Sequence, residues 1–357
     1  MSYVLAFLGF VALIILHEAG HFTAAKAVGM RVERFSLFMG PLLVKFRRGE
    51  TEYGIGAIPL GGYVKITGMN PNEDIAPDVV HRAYYNQPVW KRVVVILAGP
   101  VVNILIAFFI VLGLALAAGQ GVVNKDVAAI EKGTPAAAYL HPGDQIVSVD
   151  GVSSSPDAIR NQIGTHRCAG TPVDGCLAAT PARVVVKRDG RLETFEIRPR
   201  YSGTDKRMEV GFEYGVTTVP IGLAHAASIS VSNLWSVGTR TVSTVARIFE
   251  PQERKQLHSI VYGYTATQES FATSTTQALW VLALISLSLG IINLFPFLPL
   301  DGGHVFWAVA EKVRGKRIPF EVMERAGIVG FALILLIFVI GLTNDISTLS
   351  GPGIGLH

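Results

Sequence analysis

Two histidines and a glutamate near the start of the chain have the spacing of a metal site. His17 and His21 stand four residues apart in His17-Glu18-Ala19-Gly20-His21, so on a helix their side chains project from the same face. Two neutral imidazoles placed in this way can bind one zinc ion, and Glu18 can accept a proton from zinc-bound water. This H-E-x-x-H arrangement predicts a hydrolytic zinc site. The alternative is a set of polar residues packed inside a helix bundle.

A third protein ligand is expected, because a catalytic zinc ion normally takes three. Asp301 is the sole acidic residue between Glu269 and Glu311, and it follows two prolines that predict a broken helix. Non-helical backbone at membrane depth is tolerated where it is buried or lines a cavity. We expect Asp301 to be the third ligand, the alternative being a cap of the following helix. His304 is expected to support either the site or the packing around it.

The elements that carry these residues are apolar enough to cross a membrane. Half of the 357 residues are hydrophobic and only 16% are charged, against about a quarter in a soluble domain. A transmembrane helix needs roughly 20 mostly apolar residues. Four such spans are expected around the apolar blocks at 3–16, 93–118, 278–300 and 328–342.

Basic residues predict the orientation of these spans. The loops between spans one and two and between spans three and four carry most of the lysine and arginine outside the middle of the chain. By the positive-inside rule, both loops face the cytoplasm, and both termini and the long middle segment are extracytoplasmic. The net charge of +4 is then a feature of topology, and no nucleic-acid partner is expected.

The two cysteines of the chain, Cys168 and Cys176, fall in the predicted extracytoplasmic segment. An oxidising compartment favours a disulfide that closes a short loop. Two free thiols are the alternative.

A β-hairpin is predicted after the first span, with arms at 42–47 and 52–58. Gly54, Gly56, Gly61 and Gly62 crowd its second arm and the residues after it, and glycine in a strand often marks close approach by another backbone. The edge at 54–57 is therefore expected to receive an extended substrate by strand addition. A flexible surface hairpin is the alternative.

The middle of the chain resembles a PDZ domain of the bacterial protease type. The resemblance rests on G-T-P-A-A-A at 133–138 and on G-D-Q-I-V-S-V-D-G at 143–151, with further strands at 183–187 and 193–197. It implies a groove that accepts a peptide end or strand. Residues 221–249 are expected to form an amphipathic helix on the outer membrane surface, or a solvated spacer.

The whole chain resembles the site-2 protease family, in its bacterial branch with one PDZ domain. The motifs are H-E-x-x-H in span one, G-P-x-x-N ending at Asn103 in span two, and N-x-x-P…L-D-G in span three. The resemblance implies that His17, His21 and Asp301 bind zinc, that Glu18 is the general base and that Asn293 contacts substrate. Asn103 by itself is more typical of helix–helix hydrogen bonding.

The expected fold is a polytopic α-helical membrane protein with four transmembrane helices, a membrane-associated β-hairpin and an inserted, mostly β PDZ domain. Its segments are expected at 1–27 (helix one with H-E-x-x-H), 28–88 (loop with hairpin), 89–119 (helix two), 120–202 (PDZ domain), 203–276 (linker), 277–311 (helix three with L-D-G), 312–325 (loop), 326–343 (helix four) and 344–357 (tail).

The predicted function is zinc-dependent hydrolysis of peptide bonds within or near the transmembrane segments of single-pass proteins. The family resemblance implies the second cut of regulated intramembrane proteolysis in a bacterial inner membrane, on anti-sigma factors or remnant signal peptides. The expected partners are such substrates after a first extracytoplasmic cut, the lipid bilayer and a PDZ ligand. The alternative is a non-catalytic membrane scaffold that binds partners through its PDZ domain.

Overall fold

The computed structural model describes residues 1–70, 72–248, 250 and 259–349. The predicted linker at 203–276 and the predicted tail at 344–357 therefore lie partly outside the described residues. The chain divides into two compact units. We call them the membrane unit (Met1–Ala115 with Leu223–His357) and the sheet unit (Leu116–Gly222).

The α-helices of the described residues lie mostly in the membrane unit, with one short helix in the sheet unit. In chain order they are α1 (Ser2–Ala27), α2 (Val89–Ala118), α3 (Pro156–Ile163), α4 (Leu223–Ala246), α5 (Ile260–Thr273), α6 (Thr275–Asn293), α7 (Asp301–Arg314) and α8 (Phe320–Leu349). Four segments are long and apolar enough to cross a membrane: Ser2–Ala27, Val89–Ala118, Thr275–Asn293 and Glu321–Ser347. The four predicted spans are thus confirmed by length and composition.

The predicted third span at 277–311 consists of two helices joined by the loop at 294–300. α6 ends at Asn293 and α7 begins at Asp301, because the intervening prolines cannot continue a helix. The loop packs tightly on the start of α7. A β-carbon on Gly303 would lie 2.5 Å from the backbone nitrogen of Leu298, and one on Gly302 would collide with the carbonyl of Leu294.

The predicted hairpin is longer than its sequence pattern indicates. β1 (Val32–Arg48) and β2 (Thr51–Ile66) pair antiparallel, and residues 34–37 of β1 have a partner on each side, at 52–55 and at 62–65 of β2. Glu50 in the connecting turn accepts hydrogen bonds from Lys26 at 2.6 Å and Arg82 at 2.8 Å. The Arg82 guanidinium, together with Lys26, lowers the pKa of Glu50 to about 2. The turn of the hairpin is therefore held to the end of α1 and to the loop before α2.

The sheet unit is built around a five-stranded antiparallel sheet in the order β6-β5-β4-β3-β9. Its strands, and those of a separate small pair formed by β7 and β8, are β3 (Gln120–Ile130), β4 (Gln145–Val149), β5 (Ala182–Arg188), β6 (Arg191–Ile197), β7 (Arg200–Ser202), β8 (Arg207–Glu209) and β9 (Phe212–Val219). Residues from β3, β4, β5, β6 and α3 form its buried core.

The sheet unit extends beyond the predicted boundary at residue 202. β9 pairs with β3 from Gln120↔Val219 to Ile130↔Phe212, so residues after 202 complete the sheet. Local patterning does not reveal this, because the two strands are about ninety residues apart in sequence. Within the unit, Cys168 and Cys176 form the expected disulfide.

The predicted amphipathic helix at 221–249 is a helix, α4, and not a spacer. Leu234 and Val237 of α4 pack against a buried cluster formed by α2 and α6, which includes Ala107 and Leu287. Other residues of the predicted apolar face, such as Leu223, stay exposed. Part of one face of α4 is thus packed against α2 and α6 within the membrane unit.

Candidate metal centre

The two histidines of α1 lie side by side in the interior of the membrane unit. His17 and His21 are both buried, and their Nε2 atoms lie 3.2 Å apart. The four-residue spacing places them on one face of the helix, and the rings meet edge to face with centroids 4.8 Å apart. Both donors that the sequence predicts therefore point to one position.

The protonation of His21 follows from its second ring nitrogen. Nδ1 of His21 lies 2.9 Å from the carbonyl oxygen of Val95 on α2. A carbonyl oxygen only accepts hydrogen bonds, so Nδ1 carries the proton. In the neutral ring, Nε2 then presents its lone pair toward His17, as a metal ligand does.

Asp301 supplies a third donor from the first residue of α7. Its Oδ2 atom lies 3.3 Å from Nε2 of His17 and 3.3 Å from Nε2 of His21. Within the described part of the chain, this buried oxygen accepts no hydrogen bond of acceptable geometry. A buried carboxylate oxygen without a hydrogen bond needs a positive partner.

The three donors fit a zinc ion. Their ligand atoms form a nearly equilateral triangle with sides of 3.2, 3.3 and 3.3 Å. Two donors at ~2.0–2.1 Å from one tetrahedral zinc ion lie roughly 3.3 Å apart. Two imidazoles and one carboxylate are also the ligand types of a catalytic zinc site. No other group of three such donors is found among the described residues.

Asn103 of α2 contacts the ring nitrogen of His17 that does not face the other two donors. Its side-chain amide lies 3.2 Å from Nδ1 of His17 through Nδ2, and its Oδ1 is buried without a hydrogen bond. With the two amide atoms exchanged, Oδ1 accepts a hydrogen bond from Nδ1–H of His17. That orientation leaves the His17 Nε2 lone pair free for metal, so we assign it. The contact of the Asn103 side chain with His17 of α1 is the hydrogen bond between helices that the sequence predicts for Asn103. Separately, Ser286 of α6 donates to the backbone carbonyl of Asn103 at 2.8 Å.

Glu18 lies in a cavity of about 430 Å³ next to the three donors. A β-carbon on Gly62 would collide with Cγ of Glu18 and would lie 3.0 Å from its Cδ, so β2 passes directly over this side chain. The cavity is lined by Ile14, His17, Glu18, His21, Met39, Gly61, Gly62, Tyr63, Val64, Ile66, Met69, Ile96, Leu289, Asn293, Pro299, Asp301 and His304.

The other predicted site residues divide between this cavity and the hairpin. Asn293, Gly61 and Gly62 line the cavity. Gly54 and Gly56 do not, since a β-carbon on Gly54 would lie 2.7 Å from the carbonyl of Val44 and one on Gly56 would meet the backbone of Met39. Their close contacts are thus within the hairpin, between β1 and β2.

Two glycines that the sequence analysis left without a role make room for the histidines. A β-carbon on Gly99 would lie 2.9 Å from Cε1 of His17 and would collide with the ring of His21. A β-carbon on Gly20 would lie 2.6 Å from the Ala98 carbonyl. These glycines let α1 and α2 approach closely at the depth of the metal site. The sequence signal for Gly20 is its position next to His21 in the H-E-x-x-H motif, and the signal for Gly99 is its position at the start of the G-P-x-x-N motif.

The helix that carries Asp301 is anchored to α2 by an ion pair. Arg92 and Glu311 lie 2.7 Å apart, with side chains only 11% and 14% exposed. Asp301 is on α7 with Glu311, while Asn103 is on α2 with Arg92. The ion pair therefore joins α7, which carries Asp301, to α2, which carries the hydrogen-bond partner of His17.

Known proteins are similar to this chain over most of its length. A model of the peptidase family M50 matches residues 5–337. The zinc metalloprotease Rip1 of Mycolicibacterium smegmatis is 31% identical, covering 92% of this chain and 90% of its own. Rip1 of Mycobacterium bovis is 32% identical, covering 84% and 83%. A putative zinc metalloprotease of Brucella suis is 29% identical, covering 93% and 92%. The chain belongs to peptidase family M50, the site-2 protease family, and is a membrane-embedded zinc metalloprotease.

Proposed function

We propose that this metalloprotease hydrolyses peptide bonds within or near the transmembrane segments of single-pass membrane proteins. The observation that carries the proposal is the location of the site: His17 and Glu18 are part of α1, which is long and apolar enough to span a membrane. An ionisable cluster at such a position is a functional site by default. A protease centre there meets substrates that are themselves in the bilayer.

The chemistry follows from the residues around the cavity. His17, His21 and Asp301 would hold the zinc ion, which supplies a Lewis acid for the scissile carbonyl and for the attacking water. Glu18 accepts a proton from the water as its oxygen bonds to the carbonyl carbon. Glu18 then delivers that proton to the leaving amine as the C–N bond breaks.

A substrate helix must unwind before its peptide bonds reach Glu18. The outer edge of β2 at 61–64 is the strand segment next to the cavity. The segment predicted from sequence, 54–57, is not a free edge, because Gly54 and Ile55 already have strand partners on both sides. An extended substrate pairing with the edge at 61–64 would replace its lost helical hydrogen bonds. The substrate edge is therefore proposed at 61–64, and Asn293 is proposed to contact the same segment from α6.

The setting of the reaction is proposed from charge and family. Basic loops on the cytoplasmic side of a bacterial inner membrane would leave the sheet unit and both termini outside. The sheet unit, proposed to be a PDZ domain, would then inspect or exclude substrates that a first protease has already trimmed. In its favour, a groove lies between α3 and edge strand β9, lined by Arg160, Gly211 and Tyr214 among others, which suits an added peptide strand. Substrates of the anti-sigma-factor or remnant signal-peptide type fit this order of events.

The decisive experiment is co-expression with a tagged, single-pass substrate already trimmed on its extracytoplasmic side. Wild type should cleave it, and Glu18→Gln should not, although both proteins are equally abundant and contain equal zinc. Equal cleavage by both would remove Glu18 as the base and overturn the mechanism.

A further inference from the structure

His304 shares a helix face and a cavity with the metal ligand Asp301. The two residues are one turn apart on α7, so their side chains lie on the same side of the helix. Gly302 and Gly303 occupy the other side, where a β-carbon would strike the loop at 294–298. The glycine side of α7 therefore packs against the loop, and the side that carries Asp301 and His304 lines the cavity.

The His304 ring has free hydrogen-bonding capacity. Across residues 1–70, 72–248, 250 and 259–349, no hydrogen bond joins this ring to another residue. In contrast, Nδ1 of His21 is held by Val95 and Nδ1 of His17 by Asn103. Each neutral imidazole carries one N–H donor. The donor of His304 is therefore available to a substrate in the cavity.

Two other cavity side chains carry donors, but their positions are less closely tied to the metal site. Tyr63 lies on β2 and is 41% exposed. Asn293 ends α6 and is separated from Asp301 by the whole loop at 294–300. His304 alone lies on the same helix as a metal ligand, one turn away, where Cβ atoms are roughly 5–6 Å apart.

Peptide hydrolysis at this site creates a negative charge on the carbonyl oxygen, and a fixed hydrogen-bond donor would stabilise that charge in addition to the zinc ion. When water adds to the scissile carbonyl, the C=O π electrons move onto the oxygen. Glu18 and Asp301 are acids and cannot donate to that oxygen as carboxylates. A fixed N–H donor aimed at the developing charge stabilises the transition state more than the substrate, which raises kcat.

We propose that His304 is a catalytic residue that donates a ring N–H hydrogen bond to the carbonyl oxygen of the scissile peptide as it becomes negatively charged. His304 keeps its proton throughout. The water proton goes to Glu18 and then to the amine, and the electron pair returns to the carbonyl as the C–N bond breaks. This inference rests on the proposed function for the location of the substrate.

The test uses the full-length protein in detergent with a fluorogenic transmembrane peptide. His304→Phe fills the space without a donor, and His304→Gln retains an amide N–H. His81→Gln, at an exposed histidine in the loop before α2, is the matched control. We expect kcat to fall on the order of 10²-fold in His304→Phe, with KM within about threefold, zinc content equal to wild type and partial recovery in His304→Gln. His81→Gln should match wild type.

A second readout separates catalysis from structure. A peptide phosphinate, which mimics the tetrahedral state, should bind His304→Phe more weakly by a similar factor. Binding of uncleaved peptide to the Glu18→Gln background should not change. Loss of zinc, a rise in KM with unchanged kcat, or a kcat within threefold of wild type in His304→Phe would each overturn the inference. If wild type itself cleaves no transmembrane peptide but still cleaves a soluble one, the proposed function fails, and the same kcat comparison on the soluble peptide still decides the role of His304.

Discussion

Gly62 of β2 and Glu18 of α1 are in direct contact, with Gly62 placed where a β-carbon would overlap Cγ of Glu18. A strand of the hairpin therefore confines Glu18, the proposed general base. This contact connects two separate sequence motifs, the H-E-x-x-H helix and the glycine-rich hairpin. It also makes the conformation of Glu18 sensitive to single-atom changes in β2.

Gly62→Ala is expected to slow cleavage roughly 10²-fold, because a displacement of about 1 Å at a catalytic group has that effect. Zinc content should not change, since the three atoms nearest to a β-carbon on Gly62 all belong to Glu18 and none belongs to a candidate zinc ligand. Steady-state cleavage and metal analysis of the purified variant measure both. Gly113→Ala on α2, where an added β-carbon meets nothing within 4 Å, is the matched control. Equal rates for the two variants would show that β2 does not confine Glu18.

Asp301→Asn should weaken zinc binding by more than about 100-fold. Loss of a residue that only hydrogen-bonds to a metal ligand costs about 10–100-fold, and loss of a ligand should cost more. The amide keeps the shape of the side chain but lacks the negative charge that its position between two imidazoles requires. Competition with a chelator of known affinity gives the zinc affinity directly. Glu18→Gln, which is expected to lose activity and keep its metal, serves as the comparison. Retention of wild-type zinc affinity in Asp301→Asn would remove this residue from the ligand set.

Asn103→Leu should weaken zinc binding by about 10–100-fold, since Nδ1 of His17 would lose its partner. Asn103→Asp should bind zinc more tightly than Asn103→Leu, because a carboxylate oxygen can accept the Nδ1–H hydrogen bond that we assign to Oδ1 of Asn103. The same chelator competition distinguishes the two. If Asn103→Asp is the weaker binder, the amide donates to His17 and our assignment of its orientation is wrong.

The sheet unit should lose stability in acid through Asp144. This buried carboxylate is 2% exposed and accepts a hydrogen bond from Arg188 at 2.7 Å. The Arg188 hydrogen bond lowers the pKa of Asp144 below its ordinary value of 3.8. A lowered pKa means that the stabilisation is complete above the pKa of the unfolded chain and is lost as the pH falls through the lower, folded-state pKa.

Asp144→Asn should accordingly destabilise the sheet unit by roughly 1.5–3 kcal/mol at pH 7 and by less in acid below the folded-state pKa. Amide hydrogen exchange of β4 and β5 in the full-length protein provides the measurement. Asp157→Asn is the control, since the Asp157 side chain is 84% exposed. A destabilisation that is equally large at pH 7 and below the folded-state pKa would show that the charge of Asp144 is not its source.

Much of this protein follows from local sequence. The four apolar helices, the histidine pair on one helix face and the break before Asp301 each depend on residues within a few turns of one another. Their periodicity, hydropathy and prolines are therefore sufficient to predict them. Asp301 is predictable as the third ligand because it is the sole acidic residue between Glu269 and Glu311.

The tertiary structure decided the relationships between distant segments. Only folding shows that Asn103 contacts His17, that Gly62 covers Glu18, that Gly99 makes room for His21, and that β9 completes the sheet begun by β3. Each of these contacts joins elements that are far apart in the chain, and each depends on side-chain packing and strand pairing across that distance. Local propensity does not predict such contacts, because the packing and hydrogen-bonding energies that favour them arise only when the elements have come together.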